Sequence, residues 1–278
     1  MKSKTLTGLF FIYSLVSFSQ TNSTQSISAE NENPKVQFFL NSLKNCDFQN
    51  LKLSASNRLK AGKNMDSLIN QALNSDFLRF LLLDEKHIPK GVLFAKSKDE
   101  KIRIYTWAVP MEKGMYEFFG QVLIHSKRVE RLINILNFDE NDQLDQNHWP
   151  GGLIYHIELT KYRGKRHYLS LSYRPNKKNV QMKIIEPLIV GTKNIYFGAS
   201  VFAINNFNDK YFEKPPKRLI LRYSPAVSAS IQVISKNKEI VIDNLGPMSS
   251  KIRGNYIDYG PTLSSQSIFF KRGRWIIN

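Results

Sequence analysis

Residues 167–173 read HYLSLSY, and their strict apolar–polar alternation describes a strand with one buried face. A turn at 175–179 (PNKKN) ends it, and Val180 to Val190 resumes the apolar pattern. The turn at 191–194 (GTKN) leads into IYFGASVF at 195–202, and KRLILRY at 217–223 is a further strand. Residues 228–234 (SASIQVI) face 239–243 (EIVID) across the hairpin-length loop SKNK. The chain closes on SIFF at 267–270 and WII at 275–277 around KRGR at 271–274. Connections this short predict an antiparallel meander, because parallel strands need long crossovers.

Working back from that run, Leu153 to Lys161 is another strand, preceded by WPGG at 149–152 and an acidic loop, DENDQLDQN, at 139–147. Val92 to Ala95, Ile102 to Trp107 and Met115 to Ile124 read as three consecutive strands. In KRVERLINILNF at 127–138, Val129, Leu132, Ile133 and Leu136 have helical spacing, so a short helix and a bent strand both fit. FLRFLLL at 77–83 is equally open. Before it the period is helical. Pro34 opens a helix with Val36, Phe39, Leu40 and Leu43 on one face. A second helix covers roughly 51–73, with Gly62 as its expected break.

The N-terminus carries the clearest address. Basic residues Lys2 and Lys4 precede the apolar run LFFIYSLVSF at 9–18, and SFS at 17–19 fits a small-x-small cleavage site. The run is shorter than the roughly 20 residues needed to span a bilayer. A signal peptide at 1–19 and a polar, disordered spacer at 20–33 are therefore expected. They would be followed by a helical segment at 34–90 and an antiparallel β domain at 91–278. The expected location is the periplasm or the extracellular space, and no later segment reads as a transmembrane helix.

The chain has 278 residues, a net charge of +17 and one cysteine, Cys46. Lacking a second cysteine for an internal disulfide, the domain must owe its stability to its core. Cys46 itself reads as a small buried residue on an N-terminal helix. The basic balance favours anionic partners. Nucleic acid is not expected to meet an exported protein, which leaves anionic glycan, lipopolysaccharide or an envelope protein. The plainer reading of the same charges is that they solubilise turns.

Candidate chemistry is sparse. His148 and His156 do not match zinc-site spacing, and an alliance with Asp139, Asp142 or Asp145 would rest on loop proximity alone. Leu144 stands where a calcium loop needs glycine. Gly198-Ala-Ser200 is half of a nucleophile elbow and reads better as small residues inside a strand. Ser170 and Ser172 are explained by a solvated sheet face. Glu112, Glu117, Glu158 and Glu186 show no spacing that argues for a carboxylate pair. Two basic, aromatic-interleaved pieces, 161–168 (KYRGKRHY) and 210–218 (KYFEKPPKR), suit an anion with a ring to stack on.

An ordered series of motifs resembles an uncharacterised family of exported, β-rich proteins of Bacteroidetes-type bacteria. The series runs Lys98-Asp99, Lys101, Arg103-Ile104-Tyr105 and Trp107; Phe197-Gly198 and Phe202; Lys217-Arg218, Ile220 and Tyr223-Ser224; Ile242 to Leu245 with Pro247; and Phe270, Gly273 and Trp275. The likeness spans roughly 77–278 and implies compartment and architecture, with no assigned activity. The family pattern carries an acidic residue after the tryptophan, where this chain has Ala108, and acidic residues near 259–265, where it has none. Any metal or acid/base role of those carboxylates is lost here.

The expected fold is α+β: N-terminal helices packed on a large antiparallel β meander, closed as a barrel or a two-layer sandwich, with a propeller-like arrangement as the lesser option. The expected function is that of a noncatalytic binding or accessory protein of the cell envelope. The alternative is a secreted or periplasmic hydrolase acting on envelope polymers. Lys217, Arg218, Lys271, Arg272, Arg274 and Trp275 are the expected ligand-binding residues, with no cofactor and no metal.

Overall fold

A computed structural model describes residues 33–176, 179–249 and 254–277. The expected signal peptide, 1–19, lies outside the described residues, as does the expected spacer apart from Asn33. Contacts divide the chain into two units, Met1–Phe38 and Phe39–Asn278. Asn33, in the first, caps the start of helix α1 (Pro34–Lys44), whose later residues belong to the second. Its carboxamide oxygen accepts from the Lys35 amide at 2.9 Å, and Pro34 occupies the first helical position.

The second unit contains helices α2 (Ala55–Asn74) and α3 (Arg79–Leu83), followed by strands in three principal sheets. The first sheet is a meander of β1 (Val92–Lys96), β2 (Ile102–Pro110), β3 (Tyr116–Ile124) and β4 (Arg128–Ile133). The second has the order β5-β9-β8-β7-β6. It is formed by β5 (Leu144–Asp145), β6 (Leu153–Tyr162), β7 (Lys165–Arg174), β8 (Gln181–Val190) and β9 (Ile195–Phe197). The third combines β10 (Phe202–Ala203) with three later strands and a final edge. A two-stranded ribbon of β11 (Asn206–Phe207) and β12 (Lys210–Tyr211) follows β10 in sequence, and β13 (Leu219–Tyr223) returns to pair with β8. The rest of the third sheet is β14 (Ile231–Ile234), β15 (Glu239–Pro247), β16 (Tyr259–Lys271) and β17 (Arg274–Ile277), in the order β10-β17-β16-β15-β14.

The protein is β-rich and the sheets are not closed into a barrel. Two apolar clusters relate them. Leu169, Leu171, Ile185 and Leu221 of the second sheet meet Ile240, Ile242, Ile268 and Trp275 of the third. On its other side the second sheet contributes Ile154, Ile157, Leu188 and Phe197 to a cluster with Ile104, Val122 and Leu132 of the first. The alternation at 167–173 therefore does not separate core from solvent. Ser170 and Ser172 are buried, correcting the expectation of a solvated face. Ser170 Oγ donates to the Glu186 carbonyl at 3.1 Å, so its burial leaves no unpaired donor.

Elsewhere tertiary contact resolves what local pattern left open. Residues 128–133 are strand, because β4 has β3 as a partner, and 79–83 are a short helix. Gly62 does not break α2: a Cβ there would stand 2.4 Å from Val109 Cγ2, so the glycine serves close approach to β2. The expected continuous strand at 195–202 is interrupted at Gly198 (φ +87°), where the chain leaves the second sheet for the third. Among the described strands β10–β17 is the one parallel pair, and β5–β9 and β13–β8 also depart from a meander by joining strands that are not consecutive.

Candidate anion-binding cleft

The cleft is built at one end of the second sheet, where the start of β7 lies beside the end of its antiparallel neighbour β8. β7 begins at a two-residue turn, Arg163-Gly164, whose positive φ values (47° and 74°) match the right-handed twist of the flanking strands. This tight reversal starts β7 with Lys165, Arg166, His167 and Tyr168, which form one wall of a cleft of about 640 Å³. Beside them β8 ends with Pro187, Leu188, Ile189 and Val190, which form the floor. Lys101 and His125 enter from turns of the first sheet, where the His125 amide donates to the Lys101 carbonyl at 2.7 Å. Val201 and Trp275 close the side nearest the third sheet, and the Trp275 amide donates to the Val201 carbonyl at 2.8 Å.

The electrostatics of the lining are one-sided. Lys101, Lys165 and Arg166 carry positive charge, and no carboxylate lines the cleft. Asp99 stands behind the wall: Arg166 Nε lies 2.9 Å from its Oδ2, and Tyr168 Oη donates to the same oxygen at 3.0 Å. Burial opposes ionisation of Asp99. Hydrogen bonds from Ser97, Tyr168 and the Lys101 amide, with the charge of Arg166, nonetheless hold it below the usual carboxylate range. Burial, then the hydrogen bond to Asp99, pushes the Tyr168 phenol up to about 12. His167 is pulled below the usual imidazole value by burial and by neighbouring Lys165. Its ring lies 5.2 Å from that of Phe270, which is 5.3 Å from Trp275, so aromatic contacts fix the wall against the third sheet.

The expected ligand-binding residues separate into three groups. Trp275 lines the cleft although its side chain is almost wholly buried. Lys271, Arg272 and Arg274 are exposed on the β16–β17 hairpin, outside the lining. A Cβ on Gly273 in that hairpin would come within 2.8 Å of the Tyr162 ring, so its tip adjoins the β6–β7 tip bearing Arg163. Lys217 is half-buried, its amide donating to the Glu140 carbonyl at 2.7 Å. Arg218 requires correction. It is fully buried, with Nε 2.5 Å from Glu186 Oε1, and also donates to the carbonyls of Asp139 and Phe197. Such a guanidinium has no charge to offer an external anion.

The acidic loop is likewise structural. Glu140, almost inaccessible, is paired with Lys210 at 2.8 Å and with Arg222. Asp145 Oδ1 meets His148 Nδ1 at 2.8 Å near the surface. His156 Nε2 (3.1 Å) and Ser235 Oγ (2.7 Å) both contact Glu158 Oε2. That order places the carboxylate between serine and imidazole, so the histidine is not placed to activate the hydroxyl. Among the described residues no group of three or more metal-ligating side chains occurs.

Sequence reasoning had singled out 161–168 for its basic and aromatic character, and four of those residues form the wall. It missed Lys101, His125 and the 187–190 floor, which only sheet packing brings to the same place. No family model matches the sequence, and no curated protein or solved structure matches it.

Proposed function

We propose that this chain is an exported, noncatalytic binding protein of the cell envelope, and that its basic cleft captures an anionic envelope component. The supporting observation is the convergence of Lys101, Lys165 and Arg166, with His125 and His167, on one concavity of about 640 Å³ without a lining carboxylate. A concavity of this size is ample for a small ligand or the end of a larger one. Lys271, Arg272 and Arg274 act outside the cleft, steering the ligand by long-range attraction. The signal-like pattern of the sequence at 1–19 and the resemblance to exported β-rich proteins support this choice of compartment. We further propose that the helical segment from α2 onward serves as an outer layer on the first sheet. Its support is a set of specific contacts: Asn70 Nδ2 donates to Gln121 Oε1 at 3.1 Å, and Arg131 Nε lies 2.9 Å from Asp66.

The test is equilibrium binding of the purified chain to lipopolysaccharide and to anionic glycans, at low and high salt. The expected result is salt-sensitive binding that Lys101→Gln with Lys165→Gln weakens at least tenfold. Neutralising Lys271, Arg272 and Arg274 should mainly slow association. Absence of binding at low salt, or binding indifferent to the cleft lysines, overturns the proposal.

A further inference from the structure

The chemistry of the cleft is narrower than its charge. A site for a sugar chain needs side chains that hydrogen-bond hydroxyl groups in both directions, typically carboxylates and carboxamides. Here Asp, Glu, Asn, Gln, Ser and Thr are all missing from the lining. The tyrosine hydroxyl of Tyr168 is already committed to Asp99. Trp275 is only 2% exposed and offers no indole face for stacking, so the rings at the cleft are those of Tyr168, His125 and His167. What lies below the cationic wall is aliphatic: Pro187, Leu188, Ile189 and Val190 from the end of β8, with Val201 opposite. Ile189 is 41% exposed, an apolar surface left to water beside a cluster of cations.

We infer that the cleft takes an amphiphilic anion, one whose phosphate or carboxylate meets Lys101, Lys165 and Arg166 while its acyl or alkyl chain lies along Ile189 and Val201. The inference rests on the anion-binding reading above and names the ligand class for that site. Neither half suffices alone. A bare polyanion would leave the aliphatic floor wet, and a neutral hydrocarbon would leave Lys101 and Lys165 without an anion, Arg166 being already partnered by Asp99. A monoacyl lipid and a free fatty acid share this chemistry.

The experiment titrates the full chain with inorganic phosphate and with butyl, hexyl and octyl phosphate below their aggregation limits, alongside octanoate. It includes the variants Lys165→Gln, Ile189→Asn and Val201→Asn, each checked for native circular dichroism. Affinity should rise by about two- to fourfold for each added methylene, the factor expected when a methylene leaves water in whole or part. Octanoate should compete with octyl phosphate. Ile189→Asn and Val201→Asn should flatten the chain-length gradient. Lys165→Gln should weaken the entire series alike. Affinity independent of chain length, with the Lys165 effect intact, overturns this inference and spares the anion reading. A gradient that Ile189→Asn and Val201→Asn both leave unaltered also overturns it. Failure of every anion, including lipopolysaccharide and anionic glycans at low salt, overturns both.

Discussion

Arg218 shows how the surroundings of one side chain decide what its charge can do. In sequence it is one of two adjacent cations; in the fold its charge is neutralised inside the protein by Glu186. Burial pushes the Glu186 carboxyl up, while Arg218 pulls it down. Removing one partner leaves the other charge buried and alone, so Arg218→Met should cost about 3–5 kcal/mol in urea unfolding. Pairing it with Glu186→Leu should recover much of that loss, because no charge is then stranded. A loss under about 1 kcal/mol for the single change would contradict this account. Glu140 gives a pH signature. Burial raises its pKa, but hydrogen bonds and charge from Arg222 and Lys210 prevail, holding it below its ordinary 4.5. A carboxyl depressed in the folded state contributes stability above its unfolded value and loses it as pH falls through the folded one. Glu140→Gln should therefore lower the urea midpoint at neutral pH, and the gap to the parent should close as pH falls below about 4.5. A gap that widens in acid would rule out the pairing as the source.

At the scale of elements, the two decisive glycines act through contact as much as through backbone freedom. Gly62→Ala should gain about 1 kcal/mol by helix propensity if α2 were solvated. Against Val109 Cγ2, 2.4 Å from the new Cβ, it should instead destabilise by about 1–3 kcal/mol, read from thermal or urea melts. A stabilised variant would show that α2 can move away at little cost. Gly198, with φ +87°, lies where a Cβ would meet the Asp142 carbonyl at 2.6 Å and Arg218 Nη2 at 2.9 Å. That crowding and the positive φ explain why glycine stands where one apolar run passes from the second sheet to the third. Thr106 joins elements differently: its buried hydroxyl accepts from the Ile154 amide at 2.9 Å, tying β2 to β6 across sheets. Thr106→Val keeps the shape and strands that amide, so a loss of about 1–3 kcal/mol is expected. An unchanged urea midpoint would show the amide finding another partner.

For the whole molecule, a net charge of +17 acts on every anionic partner before any contact forms. Raising ionic strength from about 0.05 to 0.5 M shortens the screening length to a few ångströms. Association rates with anionic ligands should fall more than tenfold over that range, while dissociation changes little. Rates insensitive to salt would mean that the charged hairpin tips do not steer encounter. The same charge leaves the two adjoining tips, at Arg163 and Arg272, held in place by Tyr162 against Gly273 rather than by attraction.

The α+β class, most strand positions and the short basic turns were legible in sequence because they depend on local period and turn chemistry: the two-residue turns Arg163-Gly164 and Arg272-Gly273 are examples. One wall of the cleft was legible for the same reason, since 165–168 form one contiguous stretch with an unusual composition. What lay beyond sequence was the relation of the sheets. An alternating strand has the same pattern whether its polar face meets water or a second sheet, so Ser170, Ser172 and Arg218 looked exposed. Lys101, His125, Ile189 and Trp275 lie far apart in the chain and share a cleft only because three sheets stack with their ends together. Local period fixes which residues alternate; only packing between sheets determines what each face touches, and that contact sets both the buried charges and the binding surface.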